Sequence, residues 1–426
     1  MSGVTPGGAG SGDTTGPAGP VPAAGPAVPT PSTPPTPPTT GPDRHGPEGS
    51  GLRAALSTFG RAVVVVLPAW IAARVLVVVT LAVAHGIVST VRPDNPGALL
   101  RVHQGLLAWD GGWYQSIAAH GYVASGVQSL RFFPALPMAA RVVGWVPGVG
   151  AGPAVVLIAN LCALGAMAAL VVLVDHDTGD PELARRSAWL LALAPSAYSL
   201  VLGYADGPLL LCSVVTLLSA RTGRWWWAAA AGLAGGLVRP VGILLVIPVV
   251  IEAWRVERAG GAGGGRVSRA AATVAPALGA GIYLGWVASQ FHDFLLPFRL
   301  QQQSGHRGAL TLPLDSMGHN LTSVVHGHHL GSALHIPWVV LSVVLLVLVA
   351  RRLPASYTAF AAAVLVVSLT SSNLDSFERY ALGAFPLVVA ASTLTSRRRV
   401  EVAVLVVSAA ALVGYAMLAF LGMVVP

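Results

Sequence analysis

The sequence predicts an all-α polytopic membrane protein with about eleven transmembrane helices and a long first outer loop. Three observations carry that prediction. Of 426 residues, 54% are hydrophobic and only 10% are charged, where an ordinary soluble domain carries about 25% charged residues. The mean hydropathy is +0.69. Apolar runs recur along the chain, with arginines gathered between them, as membrane topology requires.

The elements follow in order. Residues 1–50 are almost entirely Pro, Gly, Thr, Ser and Ala. Such a stretch cannot bury enough apolar surface to offset its ordering entropy. Residues 1–55 are therefore expected to form a disordered cytoplasmic tail, and 56–426 the membrane domain. The tail has no basic stretch followed by an apolar core, so it does not read as a signal peptide. Apolar runs then fall at about 62–84, 153–174, 187–202, 207–220, 225–238, 240–254, 272–290, 334–350, 355–370, 380–395 and 400–424. Two pairs are open to merging: 187–220, interrupted by Gly203 to Pro208, and 225–254, interrupted by Arg239-Pro240. Arginine placement favours eleven spans with the N-terminus inside. The short inner loops then hold thirteen arginines in about 40 residues, against eight in about 125 outside, the bias of the positive-inside rule.

The net charge is 25 − 17 = +8, and every basic residue is arginine. That skew, with abundant Ala, Gly, Val and Pro, points to GC-rich coding and a bacterial plasma membrane. Nucleic-acid binding is a poor account of the charge, because the arginines sit where topology places them. Cys162 and Cys212 lie inside apolar runs, so neither a disulfide framework nor a zinc site is indicated.

This topology leaves two long outer segments, about 85–152 and 291–333, too long for simple connections. In the first, Asp110 is flanked by Trp109, Trp113 and Tyr114 and followed by Gly111-Gly112, with Arg131-Phe132-Phe133-Pro134 downstream. Trp and Tyr suit the headgroup level, and a carboxylate desolvated there is a stronger proton acceptor than one in water. An interfacial helix with an incidental Asp is the plainer account. Asp206 reads as a helix cap, since Gly207-Pro208 follow. Arg239 is a charge between two apolar halves, expensive unless it faces a cavity or a partner. It either pairs with an acid such as Asp206 or holds a phosphate. The second outer segment carries His306-Arg307 and a histidine-rich tract from His319 through His326, His328 and His329 to His335. Loose loop histidines are the common case, so no metal is expected there, with a divalent ion left open. Glu378-Arg379, in Asn373 to Tyr380, reads as an ion-paired helix start or as part of a site. Asp110, Arg131, Asp206, Arg239, Arg307 and Arg379 all fall at the outer level under one topology.

The string Trp109-Asp110-Gly111-x-Trp113-Tyr114-x-x-Ile117-Ala118-x-x-Gly121-Tyr122, followed by Phe132-Phe133-Pro134-x-x-Pro137, resembles the signature of PIG-V-type mannosyltransferases, which belong to the GT-C glycosyltransferases. Tyr204-x-Asp206, Arg239-Pro240, Arg379-Tyr380 and Phe385-Pro386 follow in the order such proteins show. The likeness spans about 62–395 and is sharp only in the first loop. Two departures bear on the acceptor: Ser129-Leu130-Arg131 stands where members often carry an acid and small residues, and the Tyr204-x-Asp206 position commonly has Glu.

The resemblance implies a GT-C-like fold with its active site on the non-cytoplasmic face. It implies inverting transfer of a sugar, mannose by the likeness, from a polyprenyl-phosphate donor to a glycolipid, polysaccharide or protein acceptor. Asp110 matches the family's acidic residue and would be the general base. Trp109, Trp113 and Tyr114 would wall the sugar or isoprenoid. Arg131, Asp206, Arg239, His306, Arg307, Glu378 and Arg379 would contact substrate, the arginines offsetting charge on the departing phosphate. No cofactor and no nucleic acid are implied, and membrane lipids are partners. The alternatives are a GT-C enzyme using another lipid-linked sugar, or a lipid or solute transporter in which Asp110 and Arg239 bind the cargo. Against transport, the interrupted runs do not pair into matching halves.

Overall fold

A computed structural model describes residues 10–12, 15–16, 47–91, 96–260, 265–303, 306–325, 335–372 and 374–425. The large compact unit is Gly51–Pro426. Most of the expected tail lies outside the described residues, and α1 begins within its expected bounds, at Pro47 (α1, Pro47–Val91). Among the described residues the chain is helical, without a strand. Four segments are long and apolar enough to cross a membrane: Ser57–Val91, Ala151–Thr178, Arg266–Phe291 and Arg398–Phe420. These are the helices of a membrane-embedded protein.

Helix α1 shows how the sequence makes such an element. Ala62, Val66, Ala69, Ala73, Val77, Thr80, Ala84 and Val88 are buried at spacings of three and four, one stripe of a 3.6-residue period. Large side chains such as Val64, Ile71, Val75, Val79 and Val83 point outward and are exposed. Apolar on every face, with small residues inward, is the pattern of a helix with lipid around it rather than water.

The first outer segment is mostly helical. It comprises α2 (Pro96–Gln104), a 3₁₀ turn (Gly105–Leu107), α3 (Asp110–Ala124), a second 3₁₀ turn (Val127–Arg131) and α4 (Ala135–Val143). Next come α5 (Ala151–Thr178) and α6 (Pro181–Leu193). The Asp180 carboxylate accepts from the Leu183 amide at 2.9 Å and caps α6. The expected run 187–202 is therefore not one helix: it starts earlier, at Pro181, and ends at Leu193, because Pro195 disfavours helical geometry at Ala194. A 3₁₀ turn (Ala197–Leu200) leads to α7 (Asp206–Arg221), then α8 (Trp225–Val238), a 3₁₀ turn (Pro240–Leu245) and α9 (Val246–Arg258). Both interruptions read from the sequence are real, so neither pair of runs merges into one helix. The remaining helices are α10 (Arg266–Phe291), α11 (Leu296–Gln301), α12 (Pro313–Val325), α13 (Ile336–Arg352), α14 (Ala355–Leu369), α15 (Phe377–Gly383), α16 (Pro386–Ser392) and α17 (Arg398–Phe420). The expected run 380–395 is two short helices, because Pro386 lacks an amide hydrogen and starts a new one.

Helices α8 and α10 pack most closely, with α5 and α7 next. Glycine makes the first of these approaches possible. A Cβ on Gly236 would collide with the Pro276 carbonyl, and one on Gly279 with the Leu233 carbonyl.

Charges gather at two levels. At one, Arg221 bonds Asp177 at 2.9 Å and Glu252 at 3.3 Å, Glu252 also takes Arg255 and the Ser356 hydroxyl, and Tyr357 bonds Asp177. Arg185 and Arg398 meet on Glu401, and Arg266 and Arg269 on Glu257. Arginines read as inner-loop residues thus gather on shared carboxylates. Asp206 and Arg221 are the first and last residues of α7. With a rise of about 1.5 Å per residue, the second level, at Asp206, lies about 22 Å away.

Candidate functional site

The second level is built where helices break. Asp110 is the first residue of α3, Asp206 the first of α7, Arg239 an extended residue between α8 and its 3₁₀ continuation, and Arg379 part of the seven-residue α15. The N-cap of α7 is Ala205, so Asp206 is not the helix cap it reads as in the sequence. Its two oxygens instead accept from Arg239 Nη1 at 2.7 Å and Arg379 Nε at 2.9 Å. Arg379 Nη2 reaches Asp110 Oδ2 at 2.7 Å. The result is a chain Asp110–Arg379–Asp206–Arg239 drawn from four distant stretches of sequence. Arg239 therefore has the acid partner considered for it, and it also lines a cavity.

That cavity is about 360 Å³. Of the residues read from the sequence, Asp110, Tyr114, Arg131, Asp206, Arg239, His306, Arg307 and Arg379 line it together. One oxygen of Asp110 is held by a guanidinium, and the side chain is 31% exposed. Arg307 lies over the Tyr380 ring at 4.7 Å and donates to the Ser368 carbonyl at 2.9 Å. Arg131 lies over Phe132 at 5.2 Å. Neither Arg131 nor Arg307 forms a salt bridge among the described residues, so two cavity arginines lack a carboxylate in direct contact. His306 faces the Gln128 amide oxygen at 3.2 Å. One flank of the cavity is apolar, formed by Leu209, Leu210, Val241, Phe360, Val364 and Val367. Val367 and its neighbour Val366 are exposed.

Three residues of the sequence reading sit elsewhere. The Trp109 indole donates to the Ala419 carbonyl at 3.0 Å and carries Arg101 over its ring at 3.3 Å. Trp113 stacks on Phe132, which lines the cavity in its place. Glu378 is buried against His335 at 2.7 Å. His326, His328 and His329 lie outside the described residues, as does the His319 side chain. No group of His, Cys, Asp and Glu able to hold a metal occurs among the described residues.

Three contributors are given no role by the sequence reading. Tyr204 lies beneath Arg379 at 4.4 Å, and Tyr380 is faced by Arg239 as well as Arg307. Both belong to the strings quoted for the family resemblance, which is the available signal. The third is Arg74, midway along the first apolar run, where an arginine by itself is costly. It donates to Asn160 Oδ1 at 2.9 Å and to the Leu200 carbonyl at 2.8 Å. Leu200 lines the cavity, so Arg74 buttresses the wall from behind. Comparison with protein-family models finds none that matches the chain, and comparison with curated proteins finds no match either.

Proposed function

We propose that the chain is a membrane-embedded glycosyltransferase of the PIG-V and GT-C type, with about eleven spans, a cytoplasmic N-terminus and its cavity on the outer face of a bacterial plasma membrane. It would move a sugar, mannose by resemblance, from a polyprenyl-phosphate donor to an acceptor hydroxyl. One observation carries this reading: a carboxylate, two arginines without a salt bridge and an apolar flank converge in one cavity. A lipid-linked sugar phosphate has the three matching parts.

The chemistry balances with residues in hand. The acceptor oxygen bonds to the anomeric carbon from the face opposite the phosphate. The carbon–oxygen bond to phosphate breaks, and the lipid phosphate leaves with the electron pair. The hydroxyl proton passes to Asp110, where Arg379 holds Oδ2 and Oδ1 remains as acceptor. Arg131, Arg239 and Arg307 oppose the charge gathering on the departing phosphate. One preorganised contact of this kind is worth about 3–4 kcal/mol in the transition state.

The test is incubation of the purified protein in lipid with radiolabelled polyprenyl-phosphate-mannose and a bacterial membrane lipid extract. Labelled product is expected from wild type, with a loss of about 10²–10⁴-fold in Asp110→Asn. Equal product from both would remove Asp110 as base. Movement of substrate across the bilayer with no new glycosidic bond would make the protein a transporter.

A further inference from the structure

Glu378 and Arg379 are neighbours on α15 and turn opposite ways. Arg379 faces Asp110 and Asp206. Glu378 faces His335, the residue just before α13, whose side chain is only 2% exposed. His335 Nδ1 lies 2.7 Å from Glu378 Oε2, and its Nε2 lies 3.7 Å from Asp375 Oδ1. An ionised carboxylate only accepts hydrogen bonds, so a ring with a carboxylate at each nitrogen is served best when both nitrogens carry protons. Asp375 in turn lines the cavity. The imidazole thus joins the last residues before α15 to the residue beside Arg379.

Little else about α15 is self-supporting. It has seven residues, and its N-cap Ser376 takes a left-handed φ of +65° with no side-chain capping bond. A helix of about two turns does not hold itself together. Further ties are a hydrogen bond from Ser196 Oγ to the Glu378 carbonyl at 2.8 Å and one from Ser376 Oγ to the Val425 carbonyl at 3.3 Å. Titratable groups facing this pair from neighbouring elements are Tyr198 in the 3₁₀ turn before α7 and Tyr415 on α17, both close enough to Glu378 to feel its charge. Glu378 Oε1 and the Tyr198 hydroxyl are buried with no hydrogen-bond partner among the described residues, so the His335 bond is the principal compensation for the Glu378 carboxylate.

We infer that His335 is a positioning residue: by bridging Asp375 and Glu378 it fixes α15 and thereby where Arg379 sits between the two cavity aspartates. The binding consequence rests on the proposal that the cavity holds a lipid phosphate; the local consequence does not. Loss of a ring proton as pH rises removes the positive charge held between two carboxylates, so the order of α15 falls with rising pH.

The experiment is amide hydrogen exchange of the full-length protein in detergent, corrected for intrinsic rates at each pH, alongside titration with farnesyl phosphate. In wild type, protection over 376–383 is expected to hold through the ordinary histidine range and to fall above it, because the two neighbouring carboxylates retain the ring proton. His335→Leu is expected to lose about tenfold in that protection at every pH, with α5 unchanged, and about tenfold in farnesyl phosphate affinity. Glu378→Gln, which keeps an acceptor for Nδ1–H, is expected to retain most of the order and flatten the pH dependence. Wild-type protection and pH response in His335→Leu would overturn the inference, as would equal loss in α5, which would mark general unfolding. If wild type binds no farnesyl phosphate, the lipid-phosphate reading fails and the exchange data alone decide the role of His335.

Discussion

Replacing Arg379 with Gln is the most direct test of the charged chain. Arg379 is 3% exposed and is the link between Asp110 and Asp206, at 2.7 and 2.9 Å. Removing one partner from a buried ion pair costs about 3–5 kcal/mol, because the remaining charge is left without compensation. The geometry sets the value near the lower bound. Asp206 keeps Arg239 at 2.7 Å, and Asp110, 31% exposed, can turn to water in the cavity. We therefore expect Arg379→Gln to lose about 3 kcal/mol, measured as equilibrium unfolding by denaturant in mixed micelles. Stability is expected to return in part when Asp110→Asn is added, since the carboxylate left without a partner is then gone while Asp206 and Arg239 keep each other. Contacting residues of this kind typically couple by about 0.5–3 kcal/mol. A single variant as stable as wild type, or a double variant with Asp110→Asn that recovers nothing, would refute the argument that compensation of these carboxylates is what Arg379 supplies.

Other perturbations test the frame around the site. Arg74→Met leaves the Leu200 carbonyl and Asn160 without their charged donor; a loss of about 1.5–3 kcal/mol in the same unfolding assay is expected, and a neutral result would remove Arg74 as a buttress. Gly236→Ala places a methyl against the Pro276 carbonyl, which cannot yield without moving α10, and should cost about 1–3 kcal/mol; an unchanged melting temperature would show that α8 and α10 do not pack this tightly. At the arginine end, a hydrogen bond from Arg266, supported by its charge and that of Arg269, holds the Glu257 carboxyl below its ordinary value. A depressed folded-state value means that Glu257 contributes stability above the unfolded carboxylate value of about 4.3 and loses it as pH falls through the lower folded one. The difference in unfolding midpoint between wild type and Glu257→Gln should therefore shrink in acid, and a difference independent of pH would exclude that linkage.

The helical class and the breaks at Gly203 to Pro208 and at Arg239-Pro240 were legible because they depend on local composition. The breaks at Pro195 and Pro386 fall inside runs read as single spans, because a hydropathy run does not register a lone proline, whereas the arginines between apolar runs could be grouped by counting. What local pattern could not show is which way a side chain turns. Trp109 and Asp110 are adjacent, yet Asp110 lines the cavity while the Trp109 indole bonds a carbonyl of α17. Glu378 and Arg379 divide in the same way. On a helix, successive residues point about 100° apart, so a motif that gathers neighbours cannot say which of them faces a cavity. Asp206 could be read as a cap or as a partner of Arg239 on sequence alone; only the approach of α15 brings Arg379 near enough for its carboxylate to bridge two guanidiniums.

The breaks and the site are a single design problem. An uninterrupted apolar helix satisfies its own backbone but has no cheap place for a carboxylate or guanidinium inside a bilayer. Opening the chain between α6 and α7 brings Asp206 to a helix start, where the N-terminal dipole favours a negative charge. It also frees backbone groups that must find partners away from water. Arg74 takes the Leu200 carbonyl, Asn160 Nδ2 the Val201 carbonyl at 2.8 Å, and the Gly203 amide donates to the Leu106 carbonyl at 2.8 Å. Those partners come from α1, α5 and the turn just before Asp110, so the contacts that repair the opened backbone also fix Asp206 relative to Asp110. Arg74 has only uncharged hydrogen-bond partners there. Its charge therefore remains uncancelled behind the cavity wall and adds to that of Arg131 and Arg307. The cavity lining holds four arginines against Asp110, Asp206 and Asp375, so on the proposed function the positive balance would favour a phosphate-bearing lipid over a neutral sugar.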